Sequence, residues 1–189
     1  MTISAVLLAG GESSRMGQDK AIISFRGEPL WKRQIDLLRR IQPKEILVSA
    51  RTDPSWRPAD TTFIADQQPA CGPLGGIAAA LSRIATDHLL VLAIDVPFIR
   101  ESYLLELCQR IKAGQGVVPT IENRAEPLVA IYPRESAFEF NRALSGRDFS
   151  LQSLIRKLVA LSKLCPVVVL PEELPLFRNL NEPRDVSDR

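Results

Sequence analysis

The sequence predicts a three-layer α/β fold with a mostly parallel central sheet and one antiparallel strand. Three observations predict it. Short apolar runs without polar alternation, Ile3–Ala9 and His88–Ile94 foremost, are what strands buried on both faces require. Segments of helical periodicity alternate with such runs, the order that parallel strands and their crossovers need. Across all 189 residues no internal repeat, low-complexity tract or long linker divides the chain, so one domain over 1–189 is expected.

The elements follow in order. Ile3–Ala9 ends in Gly10-Gly11, a strand running into a tight loop. Leu30–Ile41 reads as a helix with Trp31, Ile35 and Leu38 on one stripe. Lys32, Arg33, Asp36, Arg39 and Arg40 lie mostly opposite, a solvated face, and Pro43 stops the helix. Strands are expected at Glu45–Ala50 and Thr62–Ala65, then an alanine-rich helix at Gly76–Ile84. The strand His88–Ile94 precedes a helix at Glu101–Ile111 with Leu104, Leu107, Cys108 and Ile111 inward. Strands at Gly116–Pro119 and Leu128–Tyr132 follow, the second antiparallel to the rest. Helices at Arg134–Leu144 and Leu151–Leu161, a strand at Val167–Leu170 and a short helix from Asn181 complete the chain.

Composition removes several function classes. A net charge of +2 gives no broad field for nucleic acid, so any phosphate recognition is confined to a pocket. Cys71, Cys108 and Cys165 form no Cys-x-x-Cys pair, which argues against a zinc site or disulfide framework and for a reducing, cytoplasmic setting. The apolar start is too short to span a bilayer and lacks a basic flank, so no membrane partner is expected.

The stretch Leu8-Ala-Gly-Gly-Glu-Ser-Ser-Arg-Met-Gly-Gln-Asp-Lys20 carries the most chemistry. It leaves the first strand, where open α/β sheets bind ligands. Gly10, Gly11 and Gly17 let backbone N–H groups approach phosphate, Ser13 and Ser14 add hydroxyls, Arg15 adds a planar fork of donors and Lys20 a compact cation. Neither standard nucleotide loop fits. Glu12 stands where a dinucleotide fingerprint needs its second glycine, and Ala21 follows Lys20 where a P-loop needs Ser or Thr.

The pattern Leu8-Ala-Gly-Gly…Ser-x-Arg-Met-Gly-x-Asp-Lys20 resembles the signature of the molybdenum cofactor guanylyltransferases, the MobA family. Cytidylyltransferase and sugar-phosphate nucleotidyltransferase relatives usually carry Ala-Ala-Gly where this chain has Ala9-Gly10-Gly11. The resemblance continues through Gly72-Pro-Leu-Gly-Gly76, Asp95-Val-Pro-Phe98, Glu126-Pro-Leu-Val-Ala130 and Asn179-Leu-Asn-Glu-Pro-Arg-Asp185, and so covers nearly the whole chain. It implies a Rossmann-like nucleotidyltransferase fold. It also implies transfer of GMP from GTP, with Mg²⁺, to the phosphate of a molybdopterin-type cofactor, and transient contact with molybdenum cofactor-handling proteins.

Site residues follow from the same resemblance. Arg15, Lys20 and Asp95 are the catalytic candidates, and Asp95 is also the metal ligand. Leu8, Ala9, Gly10, Gly11, Lys20, Ser49, Asp66, Gly72 and Asp95 are the nucleotide-binding candidates. A carboxylate at the end of a buried strand suits Mg²⁺, which takes one or two carboxylates and completes its shell with phosphate and water. An aspartate there could equally cap the following helix. Gly72, Gly75 and Gly76 open a helix whose free N–H groups suit an anion, or they permit tight helix-on-sheet packing. Asn181 could touch acceptor or metal, or simply cap its helix.

Ser49 departs from the family, which has an asparagine contacting guanosine. Serine has a shorter reach and no amide for paired hydrogen bonds, a difference that bears on base selection and not on transfer chemistry. His88, the only histidine, starts a buried strand and reads as structural, and Trp31 and Trp56 read as packing residues. The competing readings are a cytidylyltransferase or sugar-phosphate nucleotidyltransferase on the same scaffold, and a non-catalytic nucleotide-binding partner protein. An NAD-dependent enzyme is disfavoured by the failed fingerprint.

Overall fold

A computed structural model describes residues 1–10, 19–66, 71–146 and 148–180. In chain order they form β1 (Ile3–Leu8), a small hairpin of β2 (Ser24–Phe25) and β3 (Glu28–Pro29), α1 (Leu30–Arg40), β4 (Ile46–Ala50) and β5 (Thr62–Ala65). Next come α2 (Pro73–Arg83), β6 (His88–Ala93), α3 (Glu101–Arg110), β7 (Gly116–Ile121), β8 (Arg124–Ala125) and β9 (Val129–Pro133). The last elements are α4 (Ala137–Leu144), α5 (Leu151–Ala160) and β10 (Leu164–Val168).

The central sheet runs β10-β7-β9-β6-β1-β4-β5, with β8 added beside β7. β9 is antiparallel to both its neighbours and β8 is antiparallel to β7, while the other pairings are parallel. The antiparallel strand expected near 128–132 is therefore β9. Alternation along β1 explains the three layers. Ala5 and Leu7 join the cluster beneath α1 and α3, while Val6 joins the one beneath α2, α4 and α5. With both faces covered, β1 and β6 carry no polar alternation, the property that betrayed them in the sequence.

Several boundaries differ from expectation. Helix α2 begins at Pro73, three residues before the expected Gly76, because a proline at the first helical position loses no internal hydrogen bond. The helix expected over Arg134–Leu144 divides into a 3₁₀ turn, Arg134–Ser136, and α4. The last strand is Leu164–Val168 instead of Val167–Leu170, set by pairing of Leu164 with Gly116 through Val168 with Thr120. Lys163 and Val167 turn their carbonyls towards β7, so Pro166 places its missing N–H on the open edge. It costs no ladder bond there and hinders further strand addition. A 3₁₀ segment at Pro171–Phe177 was not expected, and the helix expected from Asn181 lies outside the described residues. Among the described residues no helix is long and apolar enough to cross a membrane.

Candidate active site

The chain leaves β1 for β4 on one side and later crosses to β6 on the other. This reversal opens a crevice at the carboxyl ends of the strands, the usual ligand position in such sheets. Register brings the ends level: Leu8 pairs with both Ser49 and Ala93, and Ala50 pairs with Ala65. Ala9 N donates to Ser49 O at 2.8 Å, and Asp66 N donates to Ala50 O at 2.9 Å. A Cβ added to Gly10 would lie 3.5 Å from Ala50 Cα and 3.8 Å from Asp66 Oδ2. The Asp66 carboxylate therefore stands over the Gly10 backbone.

Lys20 and Asp95 meet at this edge. Lys20 opens a 3₁₀ turn, Lys20–Ile22, capped by Asp19, whose Oδ1 accepts from Ala21 N at 3.0 Å. Lys20 Nζ lies 3.4 Å from Asp95 Oδ2, with the two side chains 20% and 25% exposed. A cation and a carboxylate in contact, each still reachable from solvent, can separate to hold a phosphate and a metal side by side. Asp95 does not cap the next helix, because α3 starts at Glu101 with Arg100 at its cap position. No cluster of three or more metal-ligating side chains exists among the described residues. A solvent-reachable carboxylate beside a lysine fits a hard divalent ion that completes its shell with substrate oxygens and water.

The other candidates divide between the crevice and its supports. Leu8 O accepts from Ile94 N at 3.1 Å and so fixes the start of the Asp95 turn. Ser49 is 2% exposed and lies beneath α2, where a Cβ on Gly76 would come within 2.6 Å of its Oγ. Gly72 precedes α2 with φ 58°, a conformation open to glycine, and as the N-cap residue it offers no side-chain cap. Gly11 and Arg15, like Asn181, lie outside the described residues. His88 is wholly buried at the opposite end of β6, with Nε2 3.2 Å from Gln115 O. Seven residues of strand separate it from Asp95, roughly 20 Å, so it is no general base here.

Sequence reasoning missed the groups that hold this pair. Trp56 Nε1 donates to Asp19 Oδ2 at 3.0 Å while its ring stacks on Trp31, centroids 5.7 Å apart, so the packing assigned to both tryptophans is joined by a hydrogen bond to the Lys20 turn. A cavity of about 460 Å³ opens beside it, lined among others by Ala9, Gly10, Asp19, Ala50 and Arg51. Arg33, assigned to a solvated face, is half-buried and donates from Nε to Pro97 O at 2.8 Å. Gln34 is fully buried and donates to Ala93 O and Val96 O. The available signal was its spacing: a polar residue four positions from both Leu30 and Leu38, on the inward stripe. Glu126, half-buried after β8, has a carboxyl that burial pushes above its ordinary range, with Arg124 opposing the shift.

Comparison with known proteins shows the family. The sequence model for the MobA-like NTP transferase domain matches residues 5–163. The chain is 33% identical over 186 residues to a probable molybdenum cofactor guanylyltransferase from Opitutus terrae, covering 97% of this chain and 92% of that one. It is 31% identical over 191 residues to the molybdenum cofactor guanylyltransferase of Pseudomonas fluorescens, with coverage of 97% and 92%. Among solved structures it is similar to molybdopterin-guanine dinucleotide biosynthesis protein A from Archaeoglobus fulgidus. That match has a TM-score of 0.71 and 28% identity, and covers 97% of this chain and 94% of the other.

Proposed function

The chain belongs to the MobA-like NTP transferase family, and from that premise we propose that it is a molybdenum cofactor guanylyltransferase. In this reading it transfers GMP from GTP to the terminal phosphate of a molybdopterin-type acceptor and releases pyrophosphate. The observation that carries the proposal is the Lys20–Asp95 contact at 3.4 Å, with Asp95 just past the carboxyl end of β6 beside β1.

The chemistry asks little of a base. A phosphate monoester, with a second pKa near ~6, is mostly a dianion at neutral pH and attacks without losing a proton. An oxygen of the acceptor phosphate bonds to the α-phosphorus of GTP, and the bond from that phosphorus to the β-phosphate bridging oxygen breaks. The protein must screen repulsion between anions, align the attack and stabilise the leaving pyrophosphate. Lys20 supplies positive charge to the triphosphate. Gly10 lets the backbone come close to it, and the start of α2 presents N–H groups to an anion. Arg15 and Gly11 belong to the same loop and are assigned by sequence to the same task. Asp95 would hold Mg²⁺, which when bound neutralises charge on the phosphate oxygens. Asp66, whose carboxylate lies near Gly10, would contact the nucleoside in this reading. Cys108 and Cys165 stand as thiols, which suits a reducing cytoplasmic setting.

Ser49 is the place where base selection departs from the family. The test therefore measures pyrophosphate release by purified protein with molybdopterin and Mg²⁺, using GTP, CTP, ATP and UTP in parallel. Release with GTP above the others is expected. Release only with CTP would move the reading to cytidylyl transfer, and none with any nucleotide would overturn catalysis.

A further inference from the structure

Helix α1 supplies no group to the reaction just described, yet it reaches the Asp95 turn twice. Gln34 is 0% exposed, and its Nε2 donates to Ala93 O at 3.0 Å and to Val96 O at 3.1 Å. These carbonyls bracket Asp95. Arg33 Nε donates to Pro97 O at 2.8 Å, and Leu180 N donates to Asp95 O at 2.9 Å. Carbonyls 93, 95, 96 and 97 are thus all held from outside the turn.

The Gln34 amide is a costly way to fill the core. Among the described residues its Oε1 is buried with no hydrogen-bond partner, so the position forfeits hydration that an apolar side chain of equal length would never need. What an apolar side chain could not do is bind both carbonyls. The direction of the Asp95 Cα–Cβ bond follows from the peptide planes around it: Gln34 holds the 93–94 and 96–97 planes, one step out on each side, and Leu180 N holds the 95–96 plane between them. A misplacement of about 1 Å at the reacting groups can cost on the order of a hundredfold in rate.

We infer that Gln34 is a positioning residue for the Asp95 carboxylate, holding the turn that aims it at the metal and at Lys20. This rests on the reading that Asp95 is the metal ligand. Loss of groups that orient a metal ligand typically weakens metal affinity or activity about 10–100-fold.

The test compares wild type with Q34M, which keeps length and loses both donors, and with D95N. Mn²⁺ binding is measured by the electron paramagnetic resonance signal of free Mn²⁺, at saturating non-hydrolysable GTP analogue, together with kcat, KM for GTP and the melting temperature. For Q34M the Mn²⁺ dissociation constant is expected to rise about tenfold and kcat to fall about tenfold. KM for GTP should stay within about twofold, and Q34M should add nothing in a D95N background. A purely structural role would lower the melting temperature and leave Mn²⁺ affinity per folded molecule unchanged, which would overturn the inference. If Q34M folds poorly, Q34L gives the same comparison with a branched side chain of similar volume. Unchanged Mn²⁺ affinity in D95N would instead sink the metal reading itself, whatever Q34M does.

Discussion

Lys20 and Asp95 come from segments 75 residues apart and end in contact, and single substitutions separate their duties from mere packing. Lys20→Ala removes a cation aimed at charge that develops on the leaving pyrophosphate, so turnover should fall about 10²–10³-fold. The side chain is partly exposed and its contact with Asp95 is a solvent-reachable ion pair, so the melting temperature should hardly change. Pyrophosphate release beside a thermal melt checks both, and near-normal turnover would remove Lys20 from the mechanism. Glu126 predicts the opposite pattern, stability without a sequence signal. Burial raises its carboxyl pKa in the folded protein. The folded state then binds that proton more tightly than the unfolded chain, and stability is lost as pH rises from the ordinary glutamate value near ~4.3 through the raised one. Glu126→Gln should therefore melt higher than wild type at pH 7, with the gain closing below about pH 4. A gain equal at both pH values would contradict this origin. Lys20 and Asp95 were legible because a charge beside glycines, or at the tip of an apolar strand, has few structural excuses. Gln34 was not, because one polar residue on an apolar stripe looks the same whether it is tolerated or used.

Among the elements, α2 shows how closely a helix must approach the sheet to roof this edge. Alanine at position 76 would improve helix propensity by about 0.5–1 kcal/mol over glycine. The added Cβ, however, would lie 2.6 Å from Ser49 Oγ and 3.1 Å from Leu8 Cδ2. Overpacking of that kind costs about 1–3 kcal/mol, more than the propensity gain. Gly76→Ala should thus destabilise the wild type by about 1 kcal/mol and be nearly neutral in a Ser49→Ala background, where the nearest atom left from residue 49 is Cβ at 3.5 Å. Denaturant melts of the four proteins give the coupling, and strictly additive effects would rule out the contact. The two purposes that sequence left open for these glycines separate here. Gly76 permits packing, whereas Gly72, at φ 58° with no atom of the described residues within 4 Å of an added Cβ, shapes the backbone that starts the helix.

For the molecule as a whole, sequence legibility follows burial. β1, β4, β5 and β6 lie in the parallel half of the sheet, and their expected ends agree with the structure to within one residue. β10 starts three residues and ends two residues before the expected bounds, because a strand with Val168 74% exposed has no inward face strong enough to set its register from sequence. The 3₁₀ segment Pro171–Phe177 was invisible for a related reason: it is tied down by tertiary contacts such as the Tyr103–Phe177 ring pair, not by its own periodicity. The site inherits its logic from the legible half. The β1 loop brings Lys20 and the β6 end brings Asp95, and without ligand the two charges neutralise each other. A triphosphate arriving alone must draw Lys20 away and leave Asp95 facing phosphate oxygens of its own sign. A triphosphate arriving with a divalent ion gives each charge a new partner. GTP and Mg²⁺ should therefore stabilise the fold together far more than the sum of their separate effects. At a hundredfold excess over the dissociation constant the gain is about 2.7 kcal/mol, a rise in melting temperature of roughly 5–10 °C for a chain of this size. Asp95→Asn should abolish the synergy while leaving a smaller shift with GTP alone. Equal shifts with and without Mg²⁺ in the wild type would mean that the carboxylate at the tip of β6 takes no part in holding the nucleotide.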